Sequence, residues 1–361
     1  MKKDKIHYSP RRIDSYNKTW NFITSEREAG KTTAIPATKI YKFWNYQHRP
    51  SILLRRLAAD ITATYLDDLQ DAINDFLPEK RKIKFEYKKS DIKSGVVNID
   101  VMGRPFCRVI ALSCPKSRIK SLRIDNPALM IFDEFIVDNS NGERYLTDEV
   151  NKFKEIYNTF NRFATRHGNV IKCYFCGNPY SVYNPYYVWQ NVDLNKVKPG
   201  AFLVGKNYVV ECYKITDELR DFIKKNNPLY EFDDAYTRYA FGGVSVNDLK
   251  FDISPRQPEG YKLRYVFRMQ TKYLHVFHKA TKRDCPGVDY GKYWITARPE
   301  YCGSRNVRAV DFENLVKGTQ LITSDAKVTM FRLRQAIAER DCTFSDAESG
   351  YLTEALYMQI S

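Results

Sequence analysis

The sequence predicts an α/β protein in two parts, a first half built on a mainly parallel sheet and a smaller β-led α+β region behind it. Three observations carry this. Through the first half, short apolar runs alternate with helical patterns, as strands joined by crossover helices do. Some of those runs stop abruptly in polar segments suited to the carboxyl edge of a parallel sheet, where ligands bind. Beyond Pro258 the hydrophobic pattern switches to period two. At 361 residues, 43% hydrophobic and 14% aromatic, the chain is too long for one ordinary domain and rich enough for a sizeable core, which excludes a disordered scaffold. The expected division is 1–215, a linker or small helical subdomain at 216–255, and 256–361.

The expected strands of the first part are Asn21–Thr24, Ser51–Arg56, Cys107–Leu112, Ala128–Phe132 and Val170–Cys176. Between the last two, Phe153, Ile156, Tyr157, Phe160 and Phe163 fall at helical spacing. An amphipathic helix is expected from Asp217 to Lys225, and the tyrosine-rich stretch from Pro228 to Gly243, broken at Gly242-Gly243, reads as linker. In the last part, Leu263–Met269 and Tyr273–His278 read as a hairpin, Tyr293–Thr296 as a further strand and Lys327–Glu339 as a helix.

Charge narrows the partners. Lys and Arg number 58 against 43 Asp and Glu, a net +15 that biases the chain toward a polyanion. No apolar run of 18 residues is present, so no membrane partner is expected. The N-terminus Met1-Lys2-Lys3-Asp4-Lys5 turns polar where a signal peptide would turn apolar, and eight scattered cysteines without framework spacing suit a reducing cytosol. Cys173 and Cys176 resemble half a zinc site. On a strand, however, residues three apart point to opposite faces, and no second pair follows, so small core residues are the better account.

Ser25-Glu26-Arg27-Glu28-Ala29-Gly30-Lys31-Thr32-Thr33 follows the first strand. It fits the phosphate-binding pattern G-x-x-x-x-G-K-[ST] except that Ser25 replaces the first glycine. Such a loop wraps backbone N–H groups around a β-phosphate with a helix N-terminus behind them. Gly30 allows close approach, Lys31 reaches β and γ oxygens, and the Thr32 hydroxyl belongs on Mg²⁺. Pro36 removes a backbone donor early in the helix, where a kink is expected. Downstream, the apolar run 128–132 delivers Asp133-Glu134: a buried strand that brings one carboxylate to the metal's hydration shell and the other to the attacking water. Two motifs in the right order, each at a strand end, predict a P-loop NTPase using ATP and Mg²⁺. Asn178, after the fifth strand, suits a γ-phosphate sensor. Arg162 and Arg166 lie on one face at the end of the preceding helix, which is expected to finish near the strand tops.

With these residues the chain resembles the DNA-encapsidation ATPases of φ29-like podoviruses, relatives of the terminase large subunits. The resemblance rests on Ser15-Tyr16 and Asn21-Phe22, on Arg27-x-x-Gly30-Lys31-Thr32, and on Arg55-Arg56. It rests most specifically on Ile131-Phe132-Asp133-Glu134-Phe135 and Asn178-x-x-Ser181-Val182-x-Asn184-Pro185-Tyr186. The departures are Ser25 and Gly177, which stands where that pattern has serine. The resemblance implies an additional-strand P-loop ATPase domain and a C-terminal domain like an RNase H-type nuclease that has lost its carboxylates. It implies nucleotide contacts from Ser25, Arg27, Gly30, Lys31, Thr32 and Thr33, metal from Thr32 and Asp133, and catalysis from Glu134 and Asn178. Arg166, twelve residues before Asn178, falls where the family's trans-acting arginine finger falls. Lys120, thirteen before Asp133, matches a second inter-subunit cation.

The function implied is ATP-driven movement of double-stranded DNA into a preformed capsid. The machine would be a homo-oligomeric, pentameric ring on the portal, with a structural RNA adaptor in some members, in the host cytoplasm and absent from the mature virion. One rival is a complete terminase that also cuts DNA, which needs clustered carboxylates absent from Leu263–Met269, Tyr273–His278 and Tyr293–Thr296. Another is a nucleic-acid-binding structural protein without turnover.

Overall fold

The computed structural model describes residues 8–26, 29–122, 124–138, 143–146, 148–180, 184–192, 197–227, 252–269, 272–280, 291–298 and 309–311, with 333, 336, 342–346, 349, 350, 352 and 353 beyond them. The chain forms two compact units, Met1–Val182 with Lys196–Asn247, and Tyr183–Asn195 with Asp248–Ser361.

The first unit holds an eight-stranded sheet. Its strands are β1 (Trp20–Ser25), β2 (Ser51–Arg55), β3 (Val96–Val101), β4 (Arg104–Ala111), β5 (Leu129–Asp133), β6 (Lys172–Gly177), β7 (Phe202–Val204) and β8 (Tyr208–Tyr213), in the order β3-β4-β2-β5-β6-β1-β8-β7. Every pairing from β4 to β8 is parallel, and β3 and β7 close the two edges antiparallel. The mainly parallel sheet is as expected, and β6 is the additional strand between β1 and β5. Helices α1 (Arg11–Ser15), α2 (Lys31–Ile35), α3 (Tyr41–Gln47), α4 (Ala63–Asp75), α5 (Lys89–Ile92), α6 (Lys116–Ser121) and α7 (Glu149–Thr165) connect the strands. The irregularity expected at Pro36 is a π-helical turn, Pro36–Ile40, which joins α2 to α3 and absorbs the missing donor.

The core lies where β1, β5, β6 and α7 meet. Phe22 and Phe175 stack at 4.4 Å on adjacent strands, and Phe153 of α7 lies 5.0 Å from Phe175. On α7, Phe153, Ile156, Phe160 and Ala164 are buried, so the predicted stripe is the packed one. Phe163 stands only partly buried at its edge.

Among the strands the sequence did not suggest, β8 is the most telling, because Glu211 interrupts its apolar run. That carboxylate is buried and accepts from Tyr8 Oη at 2.7 Å. Two further helices are α8 (Pro185–Trp189), in the second unit, and α9 (Asp217–Asn226), in the first. Leu219 and Ile223 of α9 pack with Ile215 and Ala29. The expected linker residues 228–243 lie outside the described residues.

The second unit carries a six-stranded mixed sheet. Its strands are β9 (Asp252–Ile253), β10 (Lys262–Met269), β11 (Lys272–Ala280), β12 (Gly291–Thr296), β13 (Ala309–Asp311) and β14 (Cys342–Phe344), in the order β13-β10-β11-β12-β14-β9. The predicted hairpin is β10–β11, with a register shift between Leu263 and Tyr265. Trp294, fully buried, lies 5.3 Å from Phe277. Most of the helix expected at Lys327–Glu339 lies outside the described residues. No helix among the described residues is long and apolar enough to cross a membrane.

Burial pushes the Glu211 carboxyl up to about 7 from an ordinary 4.5, against the opposing hydrogen bond from Tyr8. A raised folded-state pKa gives stability that is present below the unfolded value and is lost as pH rises through the folded one. Wild type should therefore lose roughly 2–3 kcal/mol relative to Glu211→Gln between about pH 4.5 and 7. Urea denaturation of both proteins across that range measures the gap, and a constant gap would show that Glu211 does not titrate there.

Candidate active site

The carboxyl ends of β2, β5, β6 and β1 line one edge of the sheet, and the predicted motifs converge there. β1 ends at Ser25, whose buried hydroxyl donates to Glu26 O at 3.0 Å. Ser25 keeps an ordinary negative φ, so serine fits where the pattern has glycine. Gly30 does need to be glycine: it caps α2 at φ 79°, in the left-handed region. The loop is braced from two sides. Tyr8 N donates to Ala29 O at 2.9 Å, and buried Glu26 accepts from Ile215 N at 2.7 Å, with burial raising the Glu26 pKa. Arg27 lies outside the described residues, as do the side chains of Thr32 and Lys120. Thr33 is half-buried on α2.

Lys31 starts α2 and is buried. Its Nζ donates to Asn178 Oδ1 at 2.6 Å and lies 3.4 Å from Ser25 O, so the lysine expected on phosphate and the asparagine expected to sense it meet across one strand gap. Asn178 Nδ2 in turn donates to Tyr180 Oη at 3.3 Å. The preceding Gly177 has a steric reason: a Cβ there would sit 3.0 Å from the Phe135 ring and 3.3 Å from Ile136. A serine at 177 would force that packing to move.

One strand beyond β6, β5 delivers Asp133 and Glu134. Asp133 is buried, whereas the Glu134 side chain is 61% exposed on a backbone with φ 58°. Both carboxylates are held by Arg55 from the end of β2. Its Nη1 donates to Asp133 Oδ2 at 3.1 Å and its Nη2 to Glu134 Oε2 at 2.7 Å, with Tyr65 under the guanidinium at 4.9 Å. Burial works against the Arg55 charge, but the two carboxylates outweigh it and hold its pKa above the usual range. Arg56 and Glu149 form a second, buried ion pair behind the turn. The sequence gives Arg55-Arg56 no role of their own. Their signal is two charges at the end of an otherwise buried apolar strand, which want carboxylates nearby.

The donor set fits a nucleotide and its metal: a buried lysine at the head of a helical run, a left-handed glycine before it, and a buried carboxylate two strands along the same sheet edge.

Arg166 lies elsewhere. Because α7 crosses back over the sheet, its end sits at the amino edge of the strands, where His167 Nε2 is 2.9 Å from Asp125 Oδ1 and Asn169 Nδ2 donates to Asn126 Oδ1 at 3.0 Å. The expectation that this helix ends near the strand tops is therefore wrong. Arg166 is exposed and stacks on Phe163 at 5.3 Å, far from the Lys31 side of its own sheet.

In the second unit, the expected strands carry no carboxylates, but β9 and β13, unforeseen in the sequence, bring Asp252 and Asp311 into the sheet. Asp346, just past β14, is engaged by Arg298 at 3.0 Å and by Ser349 and Ser345. No group of three or more His, Cys, Asp or Glu among the described residues is placed to hold a metal.

The family model described as Podovirus DNA encapsidation protein (Gp16) matches residues 1–227, more than half of the chain and all of the site above. The chain belongs to this family. Among curated relatives, the DNA packaging proteins of Bacillus phages PZA and phi29 are each 28% identical over 193 residues, covering 53% of this chain and 52% of theirs. The chain thus spans about half the length of the curated relatives it matches. Among solved structures, the phi28 gp11 DNA packaging motor aligns at a TM-score of 0.62 with 15% identity over 99% of both chains. The phi29 viral genome packaging motor assembly aligns at 0.58 with 18% identity over 99% of this chain and 100% of that one. These two likenesses extend the shared fold beyond the family match, through both units of this Gp16-family chain.

Because Arg55 compensates a buried carboxylate, Arg55→Met should cost about 3 kcal/mol of stability, and adding Asp133→Asn should recover much of it. Thermal denaturation of the four proteins of this cycle tests it. A loss that Asp133→Asn leaves untouched would mean that Arg55 acts by packing on Tyr65 instead.

Proposed function

We propose that this chain is an ATPase that drives double-stranded DNA into a preformed capsid, working as a homo-oligomeric ring at the portal vertex in the host cytoplasm. The observation that carries the reading is the juxtaposition of Lys31 and Asn178 with Asp133 and Glu134 along one sheet edge. Membership of the DNA encapsidation family supports the cargo, and the net charge of +15 supports a grip on phosphates in place of bases.

In this reading Lys31 leaves Asn178 to meet β and γ oxygens, and Asn178 then faces the γ-phosphate. Glu134, once free of Arg55, orients the attacking water. Asp133 and the Thr32 hydroxyl would hold Mg²⁺, which when bound spreads the charge on the transferring phosphoryl group. Arg166, remote from its own site, would serve a neighbouring copy, and Lys120 would have the same inter-subunit role.

Wild type should hydrolyse ATP faster with double-stranded DNA than without. Lys31→Ala should lose nucleotide binding, and Glu134→Gln should bind ATP without cleaving it. A phosphate-release assay with a nucleotide-binding titration reads all three, and wild-type turnover by the Glu134 variant would remove that residue from the water-orienting role.

Arg166→Ala should fold, bind ATP and lose on the order of 10³- to 10⁵-fold in turnover. Mixing it with Glu134→Gln should restore hydrolysis that neither shows alone, since the Glu134 variant still offers Arg166 to an intact neighbouring site. Mixed assemblies that stay silent would rule out action in trans.

A further inference from the structure

We propose that Arg56 is a positioning residue for hydrolysis, clamping the backbone of the Glu134 turn while Glu149, at the head of α7, holds the clamp. This rests on the ATPase reading above and adds to it the group that aims the water-orienting carboxylate.

Glu134 is a non-glycine residue with φ 58°, a conformation that persists only where the surroundings fix it. Arg56 Nη1 donates to Glu134 O at 2.9 Å and Nη2 to Phe135 O at 2.8 Å, so one guanidinium spans two successive carbonyls of the turn. Phe135 N donates to Cys176 O at 3.2 Å, tying the same turn to β6.

The guanidinium is itself fixed. Its Nε donates to Glu149 Oε2 at 2.9 Å and its Nη2 also reaches Glu149 Oε1 at 3.2 Å. Glu149 Oε2 accepts from Leu146 N at 2.8 Å, which anchors the carboxylate to the start of α7. Phe132 and Tyr145 lie against the guanidinium at 5.6 and 5.2 Å, and both charged side chains are almost wholly buried.

The two arginines divide the work. Arg55 touches the carboxylates of Asp133 and Glu134, so a ligand that competes for those carboxylates displaces it. Arg56 donates to backbone carbonyls of the turn and pairs its charge with Glu149, so it stays in place when the site fills. The clamp needs a planar fork: a lysine keeps the charge for Glu149 but cannot serve two carbonyls and a carboxylate together.

A buried ion pair that merely supports the fold would change stability and leave the turnover of folded protein alone. The test uses the full chain with double-stranded DNA, measuring kcat for ATP and the Kd of a fluorescent ATP analogue, with wild type and Glu134→Gln as references. Arg56→Lys should lower kcat on the order of 10- to 100-fold, as small misplacements of catalytic groups do, and leave the Kd near that of wild type. Glu149→Gln, which keeps one acceptor for Arg56, should lower kcat less, and the double variant should be no slower than Arg56→Lys alone.

Wild-type kcat in folded Arg56→Lys overturns the proposal, as does a kcat loss matched by loss of nucleotide affinity. If Arg56→Lys does not fold, Glu149→Gln decides by the same readout, and wild-type kcat there overturns it equally. Wild type that fails to hydrolyse ATP at all sinks the ATPase reading and this inference with it, an outcome distinct from wild type that works beside variants that work as well.

Discussion

Opposite charges have to be kept apart and partnered along one half-buried edge, and the placement of β6 between β1 and β5 makes this possible. β6 sets the end of β1, with Lys31 beyond it, one strand away from the end of β5 at Asp133. With β6 between them, Lys31 Nζ ends on the neutral Asn178 Oδ1 at 2.6 Å, and the carboxylates find Arg55 at 3.1 and 2.7 Å from the other side. Each charge has a local partner, which is what a low-dielectric edge demands. Each of those partners can also be exchanged for a group on a bound nucleotide or its metal. On the protein side, binding is then an exchange of contacts by Lys31, Asp133 and Arg55, whose side chains are already largely buried.

The same crossover rule that gathers the motifs at the carboxyl edge sends Arg166 away from them. A helix that leaves β5 at its carboxyl end must return to the amino end of β6, so the last turn of α7 lies a full helix length from Glu149. Seventeen residues make that roughly 25 Å. An arginine so placed has no use for its own nucleotide. In the proposed ring of identical chains, the nucleotide of a neighbouring copy would give it one. In α7, one end braces the turn that carries Glu134 and the other carries the exposed Arg166, the two features that the proposed hydrolysis would use.

Much of the site was legible because P-loop and strand-end carboxylates are local signals: Gly30-Lys31 and Asp133-Glu134 each sit within a few residues of the strand that presents them. The stripe Phe153, Ile156, Phe160 was legible for the same reason. What was not legible depends on contacts across long separations. Arg55 meets its carboxylates 78 and 79 residues away and Arg56 meets Glu149 93 residues away, so a pair of arginines after a strand reads as solvated charge until the sheet order is known. Glu211 hid β8 because a buried carboxylate partnered by Tyr8 looks in sequence like a break in a strand. The position of Arg166 was within reach of topology alone; spacing from Phe163 said which face it occupies but not which edge of the sheet the helix end meets. In the second unit the hairpin was plain from its alternation, whereas β9, β13 and β14 are two or three residues long and leave too little pattern to find.

If this edge binds nucleotide as proposed, its internal contacts must be exchanged on binding. A structure of the chain with Mg²⁺ and a non-hydrolysable ATP analogue tests it most directly. The phosphates should lie over Gly30 and the head of α2, with Lys31 Nζ moved from Asn178 to phosphate oxygens and Asp133 turned from Arg55 toward the metal's water shell. An analogue seated elsewhere, or one bound at this edge while Lys31 still holds Asn178, would contradict it.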